Sequence, residues 1–301
     1  MRIANVLARG CPIVSFEFFP PKTEEAVRQL EQTISEMGPL KPTFTSVTYG
    51  GGGSTREKTL DLVTRIKRET GIEAMAHLTC VGSTRDDLAA VLDRLADSGV
   101  ENILALRGDP PKDQAAFTPA EGGFRYASEL VRFIRQRHGD RFCLGGAAYP
   151  EKHIECANPA VDLDNLKRKV DEGVEFLITQ LFFDNRHYFD FVQRARMRGI
   201  AIPIIPGIMP ITNASQIERF TVACGATLPY DLAAELDRRR NDSAAVLQLG
   251  IAHAATQCIG LLMGGAPGIH FYTLNRSTAT REIFGALQAA GFLRQSLEAL
   301  P

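Results

Sequence analysis

The sequence predicts an α/β fold, an eight-stranded parallel (βα)8 barrel of the TIM type, formed as a single domain over residues 1–301. Three observations carry that prediction. Short β-branched or aromatic runs recur eight times, each followed by a stretch of helical periodicity. No low-complexity tract or Pro/Gly/Ser-rich linker interrupts the series. Eight such units in 301 residues suit a closed barrel. An open doubly wound sheet rarely sustains eight successive crossovers, and no G-x-G-x-x-G follows any run.

The first run is Ile13–Phe18, and Val27, Leu30, Ile34 and Met37 mark one face of the helix after it. The second covers residues 44–49, with a helix from about residue 55 to 70. The third, Glu73–Thr79, precedes Leu88, Val91, Leu92 and Leu95, an i, i+3, i+4, i+7 stripe that buries one helix face. The fourth, residues 102–107, leads through a long loop to Ala127, Leu130, Val131 and Ile134. The fifth, residues 143–149, precedes Leu163, Leu166 and Val170; the sixth, residues 176–183, precedes Tyr188, Phe191, Val192 and Ala195. The seventh, residues 202–208, is followed by more than one helix between about residues 213 and 263. The eighth, residues 269–274, precedes a last helix around Phe284 and Leu287.

Composition narrows the function classes. There are 34 basic and 35 acidic residues, a net charge of −1 without long runs of one sign, so no basic face is expected for nucleic acid or an anionic membrane. Cys11, Cys80, Cys143, Cys156, Cys224 and Cys258 are scattered without a C-x-x-C pair, which predicts free thiols in a reducing compartment. Residues 1–11 are too short and polar for a signal peptide, and no continuous apolar run reaches the ~18 residues of a membrane span. Together these predict a cytoplasmic protein.

A barrel carries its chemistry at the carboxyl ends of its strands and on the loops that follow. Those positions hold Glu17, Thr48 and Tyr49, His77 and Thr79, Arg107 and Asp109, Tyr149 and His153, Gln180, and Asn275 with Arg276. Polar residues recurring around one rim predict a binding site. Several chemistries are excluded: the glycine run at residues 50–53 lacks the Lys-Ser/Thr of a P-loop, no strand run holds a Schiff-base lysine, the first strand lacks paired metal-binding histidines, and G-x-S-x-G is absent.

The motifs Ser15-Phe16-Glu17-Phe18-Phe19-Pro20-Pro21-Lys22, Ser46-Val47-Thr48-Tyr49-Gly50 and Ala76-His77-Leu78-Thr79-Cys80 resemble methylenetetrahydrofolate reductases. So do Leu106-Arg107-Gly108-Asp109-Pro110-Pro111, Ala147-Ala148-Tyr149-Pro150-Glu151 and Thr179-Gln180-Leu181-Phe182-Phe183-Asp184. Ile205-Pro206-Gly207-Ile208-Met209-Pro210 and Phe271-Tyr272-Thr273-Leu274-Asn275-Arg276 complete a set that arrives in order over roughly residues 13 to 290. The resemblance implies a ping-pong reaction on bound FAD, in which NADH or NADPH reduces the flavin and the flavin reduces methylenetetrahydrofolate to methyltetrahydrofolate. It further implies the short bacterial form without a regulatory domain, working as a homo-oligomer.

The resemblance also assigns roles. Glu17 is implied as the general acid that protonates the departing folate nitrogen. The flanking Phe16 and Phe18 suggest an apolar setting that disfavours a charged carboxylate. On its residues alone, Glu17 fits a carboxylate ion-paired for barrel stability equally well. Asp109 is implied beside flavin and pterin, where its charge would stabilise an iminium cation and lower the flavin potential; read alone, it is a turn former before Pro110. Flavin contacts are implied at Tyr49, Gly51, His77, Arg107, Gly108, Asp109, Ala127, Tyr149, His153, Asp162, Asn165, Arg168 and Lys169. Without the resemblance, Arg168 and Lys169 read as a solvated helix face and His77 as a core histidine. Thr48, Asp109, Gln180, Gln216, Phe220 and Arg276 are implied to contact nicotinamide or folate, although Phe220, spaced helically with Ile217, also reads as core. The alternatives are another flavin barrel, such as a proline dehydrogenase-like enzyme, and a non-catalytic folate- or flavin-binding partner subunit.

Overall fold

A computed structural model describes residues 1–49, 53–110 and 116–293. It contains a continuous parallel sheet of β1 (Ile13–Phe18), β2 (Phe44–Val47), β3 (Glu73–Thr79), β4 (Asn102–Leu106), β5 (Cys143–Ala148), β6 (Phe176–Thr179), β7 (Ile204–Ile205), β8 (Gly207–Ile208) and β9 (Gly268–Tyr272). Neighbours run in sequence order from β7 back to β1, then to β9 and β8. β7 pairs with β6 while β8 pairs with β9, so the two short strands are halves of the predicted seventh strand and together close the barrel. The break falls at Pro206, which has no N–H to donate; its carbonyl still accepts from the His270 N–H at 3.0 Å.

The strands alternate strictly. Phe16 and Phe18 of β1 point outward into the layer of helices, where Phe16 packs on Phe271 at 6.2 Å and Phe284 at 6.4 Å. Ile13 of the same strand faces the barrel interior with Phe44, Met75, Leu104, Cys143, Phe176, Ile178 and Ile205. Gly145 exists for this layer: a Cβ there would lie 2.6 Å from the Phe176 ring. A short helix unforeseen in the sequence, α1 (Ile3–Leu7), seals the amino end of the barrel by driving Ile3 and Leu7 into that cluster.

The outer helices are α2 (Glu24–Met37), α3 (Gly53–Thr70), α4 (Arg85–Asp97), α5 (Ala127–His138), α6 (Pro159–Asp171), α7 (Asn185–Met197), α8 (Ala214–Cys224), α9 (Tyr230–Arg238), α10 (Ser243–Met263) and α11 (Thr278–Ala289). Their starts carry the expected caps: Thr23, Thr84, Asn158, Asp184, Asn213 and Asp242 each accept a hydrogen bond from the first turn. The predicted sixth strand stops early because residues 182 and 183 find other partners: Gln257 Nε2 of α10 donates to the Phe182 carbonyl at 2.9 Å, and His253 Nε2 lies 3.1 Å from the Phe183 carbonyl. The last strand ends where Leu274 and Asn275 turn to φ 52° and 54°. α10 is the one helix among the described residues long and apolar enough to cross a bilayer by length and composition; in the barrel it packs on α11 and α7. All six cysteines are free thiols.

Candidate active site

The carboxyl ends of the strands bring together two groups of side chains. The first lies in the barrel mouth. Period-two alternation turns Glu17 inward, away from the phenylalanines beside it in sequence, so the apolar setting expected from Phe16 and Phe18 is not what its carboxylate meets. Glu17 Oε2 instead lies 3.4 Å from His77 Nε2 and 3.5 Å from His270 Nε2, with the carboxylate side chain 17% exposed. The His77 contact has an ion pair's distance without hydrogen-bond alignment, and Nε2 is otherwise unpartnered. His270 is fully buried and its Nδ1 sits 2.8 Å from Ser15 Oγ. The Glu17 backbone is fixed by Thr273, whose Oγ1 donates to the Glu17 carbonyl at 2.6 Å.

Burial, only partly offset by Glu17, holds the His77 imidazole down at a pKa of about 4. His77 is therefore neutral near pH 7. Tyr272 roofs this group: its hydroxyl donates to the Thr179 carbonyl at 2.6 Å, in space left by Gly207, where a Cβ would lie 2.7 Å from that hydroxyl. Burial first, then the charge of Glu17, pushes the Tyr272 phenol well above its ordinary range.

The second group forms a cleft of about 420 Å³ beside the mouth, between β4, β5, α5 and α6. Arg107, Ala127, Tyr149, His153, Asp162, Asn165, Arg168 and Lys169 all line it. Lys169 runs inward from α6 and donates to the Ala147 carbonyl, and burial lowers its amine to a pKa of about 8. Arg168, by contrast, is exposed and bonded to Asn165. The His153 ring stacks edge-on with Tyr149 at 4.7 Å, and the His153 backbone N–H donates to Asp162 at 3.0 Å. Gly108 takes φ 86° at the exit of β4, and a Cβ there would meet Val81 at 2.7 Å, so the turn admits only glycine.

The remaining expected residues divide. Asp109 is exposed on the rim, within electrostatic reach of Arg107, Tyr149 and His153. Thr48 and Tyr49 follow β2 half-buried, with the Thr48 carbonyl accepting from Thr59 at 3.0 Å; Gly51 lies outside the described residues. Gln180 is half-buried and its Oε1 accepts the Leu181 N–H at 2.9 Å. Gln216 sits in the first turn of α8, and Phe220 packs on a cluster of Leu181, Phe183, Met209 and Ile217 that Tyr272 also touches. Arg276 is exposed. Asn275 is structural, clamping Phe19 through its amide at 3.0 and 2.9 Å. Sequence reasoning missed His270 and Ser15. Their signal was the period-two alternation of β1 and β9, which turns Ser15 to the face of Glu17 and His270 to the face of Tyr272.

A closed parallel barrel with an acid between imidazoles at its mouth and a cationic cleft alongside defines an α/β-barrel protein with one composite site on its carboxyl rim. The chain belongs to the methylenetetrahydrofolate reductase family, whose profile matches residues 2–288. It is 38% identical over 304 residues to methylenetetrahydrofolate reductase (NADH) 1 of Arabidopsis thaliana, covering 98% of this chain and 51% of that protein. It is 39% identical over 265 residues to 5,10-methylenetetrahydrofolate reductase of Salmonella typhimurium, covering 88% and 86%. The chain thus spans about half the length of its plant relative. Among solved structures, an uncharacterized protein from Clostridium thermocellum that binds two copies of 5-methyl-5,6,7,8-tetrahydrofolic acid superposes with a TM-score of 0.62 at 18% identity, covering 96% and 98%. Oxaloacetate acetylhydrolase superposes with a TM-score of 0.54 at 12% identity, covering 100% and 90%. At these identities the likeness is one of fold.

Proposed function

We propose that this chain reduces 5,10-methylenetetrahydrofolate to 5-methyltetrahydrofolate with NADH or NADPH, alternately, on a bound FAD, and does so in the cytoplasm. The observation that carries the reading is the juxtaposition at one rim of a proton donor, Glu17 between His77 and His270, with a cleft that supplies cations. Family membership supplies the substrate class.

The residues fit a flavin dinucleotide. Arg107 and Lys169 offer cationic donors for a diphosphate, and Tyr149 and Ala127 give the cleft apolar walls. Gly108 leaves backbone open where any side chain would collide with Val81. Thr79 Oγ1, beside the Gly108 turn, and His77 Nε2, in the mouth beside Glu17, are buried polar atoms without a hydrogen bond and are suited to ligand hydrogen bonds. Asp162 and Asn165 add acceptors for ribityl or ribose hydroxyls, with His153 and Tyr49 contributing further contacts. When bound, the flavin supplies the hydride relay between nicotinamide and folate.

The protein's own work is proton placement and binding. Glu17 holds the proton that the departing folate nitrogen takes as the methylene bridge opens. His270, anchored on Ser15, orients that carboxyl group, and His77 packs beside it as a neutral imidazole. Asp109 at the rim offers a negative charge to the cation that develops on the folate. Gln180, with both donor and acceptor atoms, suits pterin and nicotinamide in turn, and Thr48, Gln216, Phe220 and Arg276 extend the substrate surface, Arg276 toward carboxylates.

Glu17→Gln tests the assignment. Bleaching of the flavin by NADH should proceed at the wild-type rate, while folate reduction falls roughly 10²- to 10⁴-fold, the range for losing a general acid. Both half-reactions at full rate would remove Glu17 from the chemistry.

A further inference from the structure

We propose that Glu155 is an internal counter-anion that holds the loop between β5 and α6, residues 149–158, over the flavin cleft by occupying Arg107, and that a ligand phosphate takes its place. The inference rests on the flavin reading above and assigns a gating role to a residue outside the expected contacts.

Arg107 is already filled. Its Nη1 and Nη2 donate to the two carboxylate oxygens of Glu155 at 2.6 and 2.7 Å, a parallel two-pronged pair. Nε donates to the Gly108 carbonyl at 3.1 Å, and the guanidinium lies 4.9 Å over the Phe117 ring. Carboxylate and phosphate present the same pair of oxygens to a guanidinium fork, so one group stands in for the other. The two partners are not equally fixed: the Arg107 side chain is 20% exposed, whereas that of Glu155 is 45% exposed. The carboxylate is the partner that water can receive.

The loop around Glu155 is held in an uncommon conformation. Lys152 sits at φ 129°, a region that residues with a side chain seldom adopt. The turn after it is local: His153 Nδ1 accepts the Glu155 N–H at 3.1 Å, and the Cys156 N–H donates to the His153 carbonyl at 2.9 Å. His153 and Glu155 both line the cleft, and among the described residues the Glu155 carboxylate hydrogen-bonds only to Arg107. Releasing Arg107 unties the Glu155 end of the loop, while the His153 backbone N–H on Asp162 at 3.0 Å, the Thr227 N–H on Glu151 at 3.0 Å and Arg194 on the Pro150 carbonyl at 3.2 Å keep the rest in place.

Glu155→Gln keeps the shape and removes the charge. The full chain, stripped of flavin and mixed rapidly with FAD, should quench flavin fluorescence faster than wild type and bind roughly two- to five-fold tighter, the scale of a partly exposed ion pair. In an Arg107→Ala background the same change should have no effect, because there is no pair to release. An E155Q protein that binds FAD no faster, or more weakly, than a wild type that does bind it would show that Glu155 supports Arg107 instead of competing for it. If E155Q fails to fold, E155D, with the same charge and a shorter reach, decides: faster association supports the proposal and unchanged association overturns it. A wild-type chain that takes up no FAD overturns the flavin reading and the gate with it.

Discussion

His77 shows how a single side chain couples the site to the stability of the barrel. Its imidazole is buried beside Glu17, and burial keeps its pKa near 4, below the ordinary value of 6.5. Because the folded-state value is the lower one, the favourable contribution is complete above pH 6.5 and is lost as pH falls through about 4. With ~1.4 kcal/mol per pKa unit, the loss is on the order of 3 kcal/mol. Urea unfolding followed at pH 7, 5.5 and 4 should show stability falling, and His77→Gln should flatten that dependence. An unchanged pH profile would mean that other groups set the acid limit. His77 was legible as a rim residue from its place in an alternating strand; its neutrality was not, because burial is a property of the closed barrel. Glu17 teaches the converse. Its sequence neighbours are aromatic, but alternation sends them to the opposite face of the sheet, and the groups that surround its carboxylate come from β3 and β9, 60 and 253 residues away.

At the scale of elements, all eight strand–helix units were readable, since each strand is a short, mostly buried run of β-forming residues and the helices between them carry buried apolar stripes. What the pattern could not show was where pairing stops. The run at residues 176–183 is uniformly apolar, yet its second half leaves the ladder because side chains of α10 take over its carbonyls. The seventh strand divides at a proline that was visible in the sequence but read as interior. The α1 plug was missed because five helical residues carry no periodicity to detect. That plug is predicted to matter: Ile3 is fully buried, and Ile3→Ala should cost about 2–5 kcal/mol, measured as a lower urea midpoint with an unchanged slope. Since α1 seals the end opposite the chemistry, flavin affinity at 20 °C should stay as it is. Gly207→Ala makes the contrasting case, because its Cβ would lie 2.2 Å from the Thr179 carbonyl and displace Tyr272 over Glu17. Folate reduction in G207A should fall more than stability does, which steady-state rates and melting of the same sample can separate.

Over the whole molecule, one end of the barrel is closed by Ile3 and Leu7 of α1, and the other carries Glu17, His77 and Tyr272 beside the cleft lined by Arg107 and Lys169. Tyr272 lies in electrostatic reach of both Glu17 and Tyr149, so the acid in the mouth and the cationic cleft are parts of one continuous rim. A single rim that holds a partly buried carboxylate and a cation-lined cleft suits the proposed reaction, in which two substrates visit in turn. The most direct test is an anaerobic spectral titration of the purified protein with NADH, followed by methylenetetrahydrofolate. The account predicts yellow protein whose flavin bands bleach with NADH and return in stoichiometric proportion to added folate, with methyltetrahydrofolate as the product. Bands that bleach and stay bleached, or protein that remains colourless after exposure to FAD, would contradict it.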